Sequence, residues 1–209
     1  MLLLRRAKPW RAKNEIAFVG DSMVTNPGSG QSIVDHLRRS TGRNVIQGGV
    51  GGEVIASTLS RVQAAPQYRT YTTPIWAGGN NYLVYPAGTE FIPTCITDIK
   101  AGIASIITYL AHTRYLVVGN VAGNAGGLHP TAVQVREAKR DLNLQLAALY
   151  GTRFIDAAAI LQAYDPSDTD AAANLWMPSI LAQDSSHPNA LGVKLIAQVV
   201  RARIRAFGW

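Results

Sequence analysis

A serine near the amino terminus and a histidine near the carboxyl terminus are the side chains of this sequence best suited to chemistry. Ser22 ends the tripeptide Gly20-Asp21-Ser22, directly after the apolar residues 16–19. A short apolar run that ends in glycine is typical of a buried parallel strand, and ligands bind at the carboxyl ends of such strands. Ser22 can therefore present a nucleophilic hydroxyl there. Capping of the next helix by Ser22 and Asp21 accounts for the same residues.

Asp184 and His187 lie on the loop before the last helical pattern, residues 189–206, with Pro188 expected at the first helical position. A carboxylate three residues before a histidine can accept from the ring Nδ1–H. This fixes the tautomer and leaves Nε2 to take a proton from a serine. Two unconnected surface side chains, or two ligands of a metal ion, are the alternatives, although no clear cluster elsewhere completes a metal site. Combined with Gly-Asp-Ser, the loop favours a Ser-His-Asp arrangement.

Four short motifs of the sequence resemble the signature blocks of the SGNH hydrolases, also called GDSL-type esterases. They follow the order of that family over nearly the whole chain: Gly20-Asp21-Ser22, Gly52, Gly78-Gly79-Asn80 and Asp184-x-x-His187. The resemblance implies a catalytic triad of Ser22, His187 and Asp184. It also implies an oxyanion hole made of the backbone N–H groups of Ser22 and Gly52 and the Asn80 side chain. No metal or organic cofactor is needed for this chemistry.

The two loops that carry the expected oxyanion donors have their own local signals. Residues 48–52 are glycine-rich, but Val54 stands where a dinucleotide-binding Gly-x-Gly-x-x-Gly motif needs its last glycine. Asn80 offers a neutral N–H₂ donor, and a simple turn asparagine is the alternative. The sequence departs from the family at Gln47, where asparagine is common, and at Asn81, where aspartate is common. Both differences concern the interactions that hold these two loops in place, and not the proposed donors themselves.

Aromatic and polar residues near these motifs are candidates for substrate contact. Residues 82–93 form an aromatic segment with two prolines directly after the third block. We expect four substrate-binding side chains: Asn81, Tyr82 and Tyr85 in or beside this segment, and Trp176 in the irregular stretch before the loop of Asp184 and His187. Simple covering of the core is the alternative role for the segment.

Strand patterns alternate with helical patterns along the chain. The strands are expected at residues 16–19, 44–47, 73–77, 115–118 and 153–155. Asp156, at the end of the last strand, is interpreted as a helix cap rather than a rival triad acid. The alternation predicts a three-layer α/β/α sandwich with a five-stranded parallel sheet, and the resemblance implies the flavodoxin-like strand order. We expect one hydrolase domain over residues 15–209, preceded by a basic tail at residues 1–14.

Composition limits the classes of partner. The chain has 209 residues, 47% of them hydrophobic, which suits one sizeable core. Its formal charge is +7, but five of the 20 basic residues precede residue 14, which leaves 15 basic against 13 acidic residues beyond. No nucleic-acid partner is therefore expected for the folded body. No apolar run reaches the ~18 residues of a membrane span.

Several properties stay undecided at this stage. Residues 1–4 are too short for the apolar core of an export signal, so the compartment is unassigned, with the cytoplasm as the default. Cys95 is the single cysteine and is interpreted as a small buried helix residue. The oligomeric state is open.

The motifs together predict a serine esterase that acts through an acyl-enzyme. The expected substrate is a small-molecule or saccharide ester, with a carbohydrate O-acetyl ester or a short-chain acyl ester preferred. An acyltransferase that uses the same triad is one alternative. A binder of nucleic acid or an anionic surface, acting through the basic tail, is another.

Overall fold

A five-stranded parallel sheet forms the centre of the protein. The computed structural model describes residues 15–25, 31–83, 90–122, 132–169, 177–184 and 186–209. The strands are β1 (Ile16–Gly20), β2 (Val45–Gly49), β3 (Thr73–Trp76), β4 (Tyr115–Val118) and β5 (Phe154–Ile155). Their order is β2-β1-β3-β4-β5, and every neighbouring pair is parallel. This is the flavodoxin-like order, so the predicted fold is confirmed.

Helices cover both faces of this sheet. In chain order they are α1 (Ser22–Thr25), α2 (Ile33–Thr41), α3 (Ile55–Gln63), α4 (Ile92–Leu110), α5 (Ala132–Tyr150), α6 (Ala157–Tyr164) and α7 (Ala190–Ala206). One hydrophobic cluster joins the sheet to α2, α6 and α7, and a second joins it to α3, α4 and α5. Alternate β1 residues enter the two clusters, Phe18 the first and Val19 the second. The period of two in a strand therefore produces the three layers.

The end of β1 is determined by a close approach of two backbones. A Cβ atom at Gly20 would lie 1.8 Å from the carbonyl oxygen of Trp76 on the neighbouring strand β3. Only glycine can stand there without a shift of backbone. The chain leaves the sheet directly after Gly20, so Asp21 and Ser22 lie at the carboxyl edge of the sheet.

The loop before α7 is held as a tight antiparallel turn. Ala182 and Pro188 form an isolated bridge, Gln183 N donates to the His187 carbonyl at 2.9 Å, and Asn189 N donates to the Leu181 carbonyl at 2.7 Å. Helix α7 begins at Ala190 with Asn189 as its N-cap, so Pro188 is not the first helical residue as predicted. The bridge occupies Pro188 instead, and the amide side chain of Asn189 caps the helix.

Two smaller predictions are also settled. Asp156 is the N-cap of α6, where its carboxylate accepts from Ala159 N at 3.0 Å, as predicted. Cys95 is buried on α4 with 1% of its surface exposed, also as predicted.

Among the residues that the structure describes, none of the helices combines the length and the apolar character that a membrane crossing requires.

Candidate active site

Ser22 and His187 meet at the carboxyl edge of the sheet. The Oγ atom of Ser22, in the first turn of α1, lies 2.9 Å from Nε2 of His187, although the two residues are 165 positions apart. Asp21 carries out the capping that the sequence also suggested, since its Oδ1 accepts from Met23 N at 3.0 Å. The capping and the nucleophile interpretations of this turn are therefore compatible, because they use different side chains.

Asp184 completes the row of three side chains. His187 Nδ1 lies 2.9 Å from Oδ2 and 3.0 Å from Oδ1 of Asp184. The Oδ1 atom also accepts from the backbone N–H groups of Ser186 and His187, both at 2.7 Å. The interpretation of Asp184 and His187 as unconnected surface residues is therefore wrong.

Electrostatics favour an ionised Asp184. Partial burial opposes ionisation, but the hydrogen bonds from Ser186 N, from the His187 ring and from His187 N outweigh it and lower the pKa of Asp184. An ionised carboxylate only accepts, so Nδ1 of a neutral His187 carries the proton and Nε2 is left to accept from the Ser22 hydroxyl.

Asn80 and Asn81 join the loop after β3 to the loop after β2. Asn80 Nδ2 donates to the backbone carbonyl of Glu53 at 3.0 Å, which identifies the nitrogen end of this amide because a carbonyl only accepts. Its second N–H is not used by that bond. Asn81 Oδ1 accepts from Ile55 N at 2.9 Å. Gly52, the expected backbone donor, lies exposed beside Glu53 with a φ of +78°.

The positions of Asn81 and Tyr82, two of the expected substrate contacts, do not support that role. Asn81 is 5% exposed and Tyr82 is 4% exposed, and Tyr82 packs in the core cluster of α3, α4 and α5. Burial raises the pKa of the Tyr82 hydroxyl. These positions argue against direct contact of either side chain with substrate. Tyr85 and Trp176 lie outside the described residues.

Three charged side chains near the site have contacts or a degree of burial that the motifs did not predict. Glu53 and Arg61 form an ion pair beside the glycine-rich loop of residues 48–52. Asp21 is 1% exposed, and desolvation raises its pKa from 3.8 to about 6 against the opposing effects of Met23 N and Lys139. The only sequence signal for Glu53 and Arg61 is their opposite charge across one short helix, and nothing in the sequence indicated that Asp21 is buried.

Comparison with known proteins identifies the family and the fold. A sequence model described as the GDSL-like Lipase/Acylhydrolase family matches residues 18–195. No curated protein matches the chain. A solved structure of an acylhydrolase from Bacteroides fragilis has a TM-score of 0.71 at 16% identity, with 95% of this chain and 90% of that chain covered.

Two further solved structures are described as acetyl xylan esterases. One is AlAXEase, with a TM-score of 0.67 at 16% identity, covering 90% of this chain and 98% of that chain. The other is Axe2 from Geobacillus stearothermophilus, with a TM-score of 0.61 at 15% identity, covering 92% and 94%. At such identities the likeness to these structures concerns the fold.

The fold and the family match define the class of protein. The chain belongs to the GDSL-like lipase/acylhydrolase family, because the family model spans most of its length. It is accordingly a carboxylic ester hydrolase with the α/β fold of that family.

Proposed function

We propose that this protein hydrolyses esters through a covalent acyl-enzyme formed on Ser22. The observation that carries the proposal is the continuous row Ser22 Oγ, His187 and Asp184, with 2.9 Å at each of its two contacts. Ser22 Oγ attacks the ester carbonyl carbon while His187 Nε2 takes its proton. Asp184 holds the ring in the required tautomer and stabilises the imidazolium that forms.

Three hydrogen-bond donors stabilise the negative oxygen of the tetrahedral intermediate. We assign them to the backbone N–H groups of Ser22 and Gly52 and to the Asn80 N–H that does not bind Glu53. The intermediate collapses as His187 returns the proton to the leaving alcohol. Water then attacks the acyl-enzyme with His187 again as base, and the carboxylic acid leaves with Ser22 restored.

The proposed substrates are O-acetylated carbohydrates or other short-chain esters. Support comes from the family match and from two structural neighbours described as acetyl xylan esterases. No metal or organic cofactor takes part in the steps proposed.

The test compares wild type with Ser22→Ala on p-nitrophenyl esters of two to eight acyl carbons and on acetylated xylo-oligosaccharides. We expect release of acetate by wild type, and a loss of kcat on the order of 10⁴ to 10⁶ in the variant, as for other triad nucleophiles. Circular dichroism and the thermal transition of the variant control for folding. A folded Ser22→Ala protein with near-normal turnover excludes Ser22 as the nucleophile. Product analysis with added alcohols separates hydrolysis from acyl transfer.

A further inference from the structure

An ion pair beside the glycine-rich loop of residues 48–52 joins the two ends of helix α3. Arg61 lies in the last turn of α3, and Glu53 lies two residues before its first turn. Arg61 Nε donates to Glu53 Oε1 at 3.0 Å, and Arg61 Nη2 donates to Oε2 at 2.6 Å. The side chains are 25% and 14% exposed. A bidentate, largely buried contact of this kind has a defined geometry, unlike most surface ion pairs.

The same guanidinium also binds the carboxyl ends of two neighbouring strands. Arg61 Nη1 donates to the Gly48 carbonyl of β2 at 2.7 Å, and Nη2 donates to the Gly20 carbonyl of β1 at 3.1 Å. Gly20 stands two positions before Ser22 in the chain. Arg61 therefore connects the turn that carries the nucleophile to the loop that carries Glu53.

Glu53 extends this connection to Asn80. Its backbone carbonyl accepts from Asn80 Nδ2 at 3.0 Å, and Thr58 Oγ1 donates to its carboxylate at 3.1 Å. Gly52 is the preceding residue. All three proposed oxyanion donors are therefore connected to Arg61. Ser22 lies two residues after Gly20, whose carbonyl accepts from Arg61. Gly52 precedes Glu53, the ion-pair partner of Arg61, and the Asn80 side chain donates to the Glu53 carbonyl.

We infer that Arg61, acting through Glu53, is a positioning residue for the oxyanion hole. It holds the Gly52 N–H and the Asn80 amide in register with Ser22, so that all three donors point at one place. The inference rests on the proposed function, since it concerns the transition state of that reaction.

Arginine is suited to this task because its planar group directs several N–H donors to separate acceptors. The three nitrogens of Arg61 serve a carboxylate and two carbonyls, which a single ammonium group cannot reproduce in the same directions. Loss of the guanidinium would also leave the Glu53 carboxylate without its partner, close to where negative charge develops.

The first experiment measures kcat and KM of Arg61→Met and Arg61→Lys with p-nitrophenyl acetate. Displacement of reacting groups by about 1 Å can cost about 10²-fold in rate. We expect kcat of Arg61→Met to fall about 10- to 100-fold with KM changed less than about twofold, and Arg61→Lys to be intermediate. Arg205→Met is the control, because Arg205 is exposed in the last turn of α7. A folded Arg61→Met enzyme with wild-type kcat overturns the inference.

A double-mutant cycle separates positioning from general destabilisation. If Arg61 acts through the oxyanion donors, Arg61→Met should cost much less kcat in an Asn80→Ala background than in wild type. Equal losses in both backgrounds contradict the inference. If Arg61→Met does not fold, Glu53→Gln replaces it, since glutamine keeps the volume and removes the charge. A smaller loss of kcat is expected there, and an unchanged kcat counts against the inference.

Hydrogen exchange tests the same idea without any turnover. Amides of residues 50–55 and 79–83 should exchange faster in Arg61→Met than in wild type and in Arg205→Met. Unchanged exchange in both segments overturns the inference, even for an enzyme that is inactive on every ester. An inactive wild type with the expected exchange contradicts the proposed function and leaves the positioning role of Arg61 supported.

Discussion

Asp184 meets His187 with both carboxylate oxygens near one ring nitrogen, at 2.9 Å for Oδ2 and 3.0 Å for Oδ1. Oδ1 also accepts two backbone N–H groups of the same short loop, those of Ser186 and His187. The acid and the base of the proposed triad are therefore positioned by one turn of chain. Only Ser22 has to be brought to them from elsewhere in the fold.

Asp184→Asn should lower kcat by about 10⁴ with little change in KM. An amide in this place can accept as well as donate and no longer holds His187 in the tautomer that accepts the serine proton. Steady-state kinetics on a short-chain aryl ester give the result. Asp156→Asn is the matched control, because Asp156 only caps α6 and asparagine caps equally well. If Asp156→Asn is impaired and Asp184→Asn is normal, the assignment of Asp184 as the triad acid is wrong.

Asn80→Ala should lower kcat by about 10²- to 10³-fold while KM changes slightly, because one donor to the transition state is lost. Asn80→Asp should be at least as harmful, since a carboxylate repels the developing oxyanion. Asn81→Ala should act mainly on stability. It leaves the Ile55 N–H without its acceptor in a buried place, at a cost of about 1–3 kcal/mol.

These three variants need kinetics and urea unfolding side by side. The assignment requires that the kinetic loss belongs to Asn80 and the loss of stability to Asn81. If Asn81→Ala loses its activity and Asn80→Ala is nearly normal, the oxyanion donor is Asn81 and not Asn80.

Asp21→Asn should stabilise the protein at neutral pH. Burial raises the pKa of Asp21 from 3.8 to about 6, against the effects of Met23 N, Lys139, Gly79 N and His187. The native state therefore binds more protons than the unfolded state between about pH 4 and pH 6, and this group lowers stability as the pH rises through that window. Asparagine removes the titration and can still accept from Met23 N. The gain at pH 7 is at most about 3 kcal/mol.

Urea unfolding of wild type and Asp21→Asn from pH 4 to pH 8 measures this effect, and the difference should shrink toward pH 4. Asp35→Asn is a control of opposite sign. Hydrogen bonds from Ser32 lower the pKa of Asp35, so its contribution is present above pH 3.8 and is lost as the pH falls through its native value. A stabilising effect of Asp21→Asn that is the same at pH 4 and pH 7 would contradict the role assigned to its charge.

The sequence by itself determined the alternation of strands and helices. Apolar runs and helical periodicity depend only on neighbouring residues, and the observed strands begin and end within two residues of their predicted bounds. The carboxyl-edge position of Ser22 followed from the run that ends at Gly20. The strand order came from the family resemblance, because local periodicity does not record which strands pair.

Tertiary structure alone decided which side chains meet. The 2.9 Å contact of Ser22 with His187, the bond from Asn80 to Glu53 and the bond from Arg61 to Gly20 join segments whose separation in space depends on sheet order. Burial of Asn81 and Tyr82 was likewise missed, because the polar amide and the tyrosine hydroxyl suggested a surface role. A hydrogen bond requires distance and direction together, and both arise only when the strands and helices are packed.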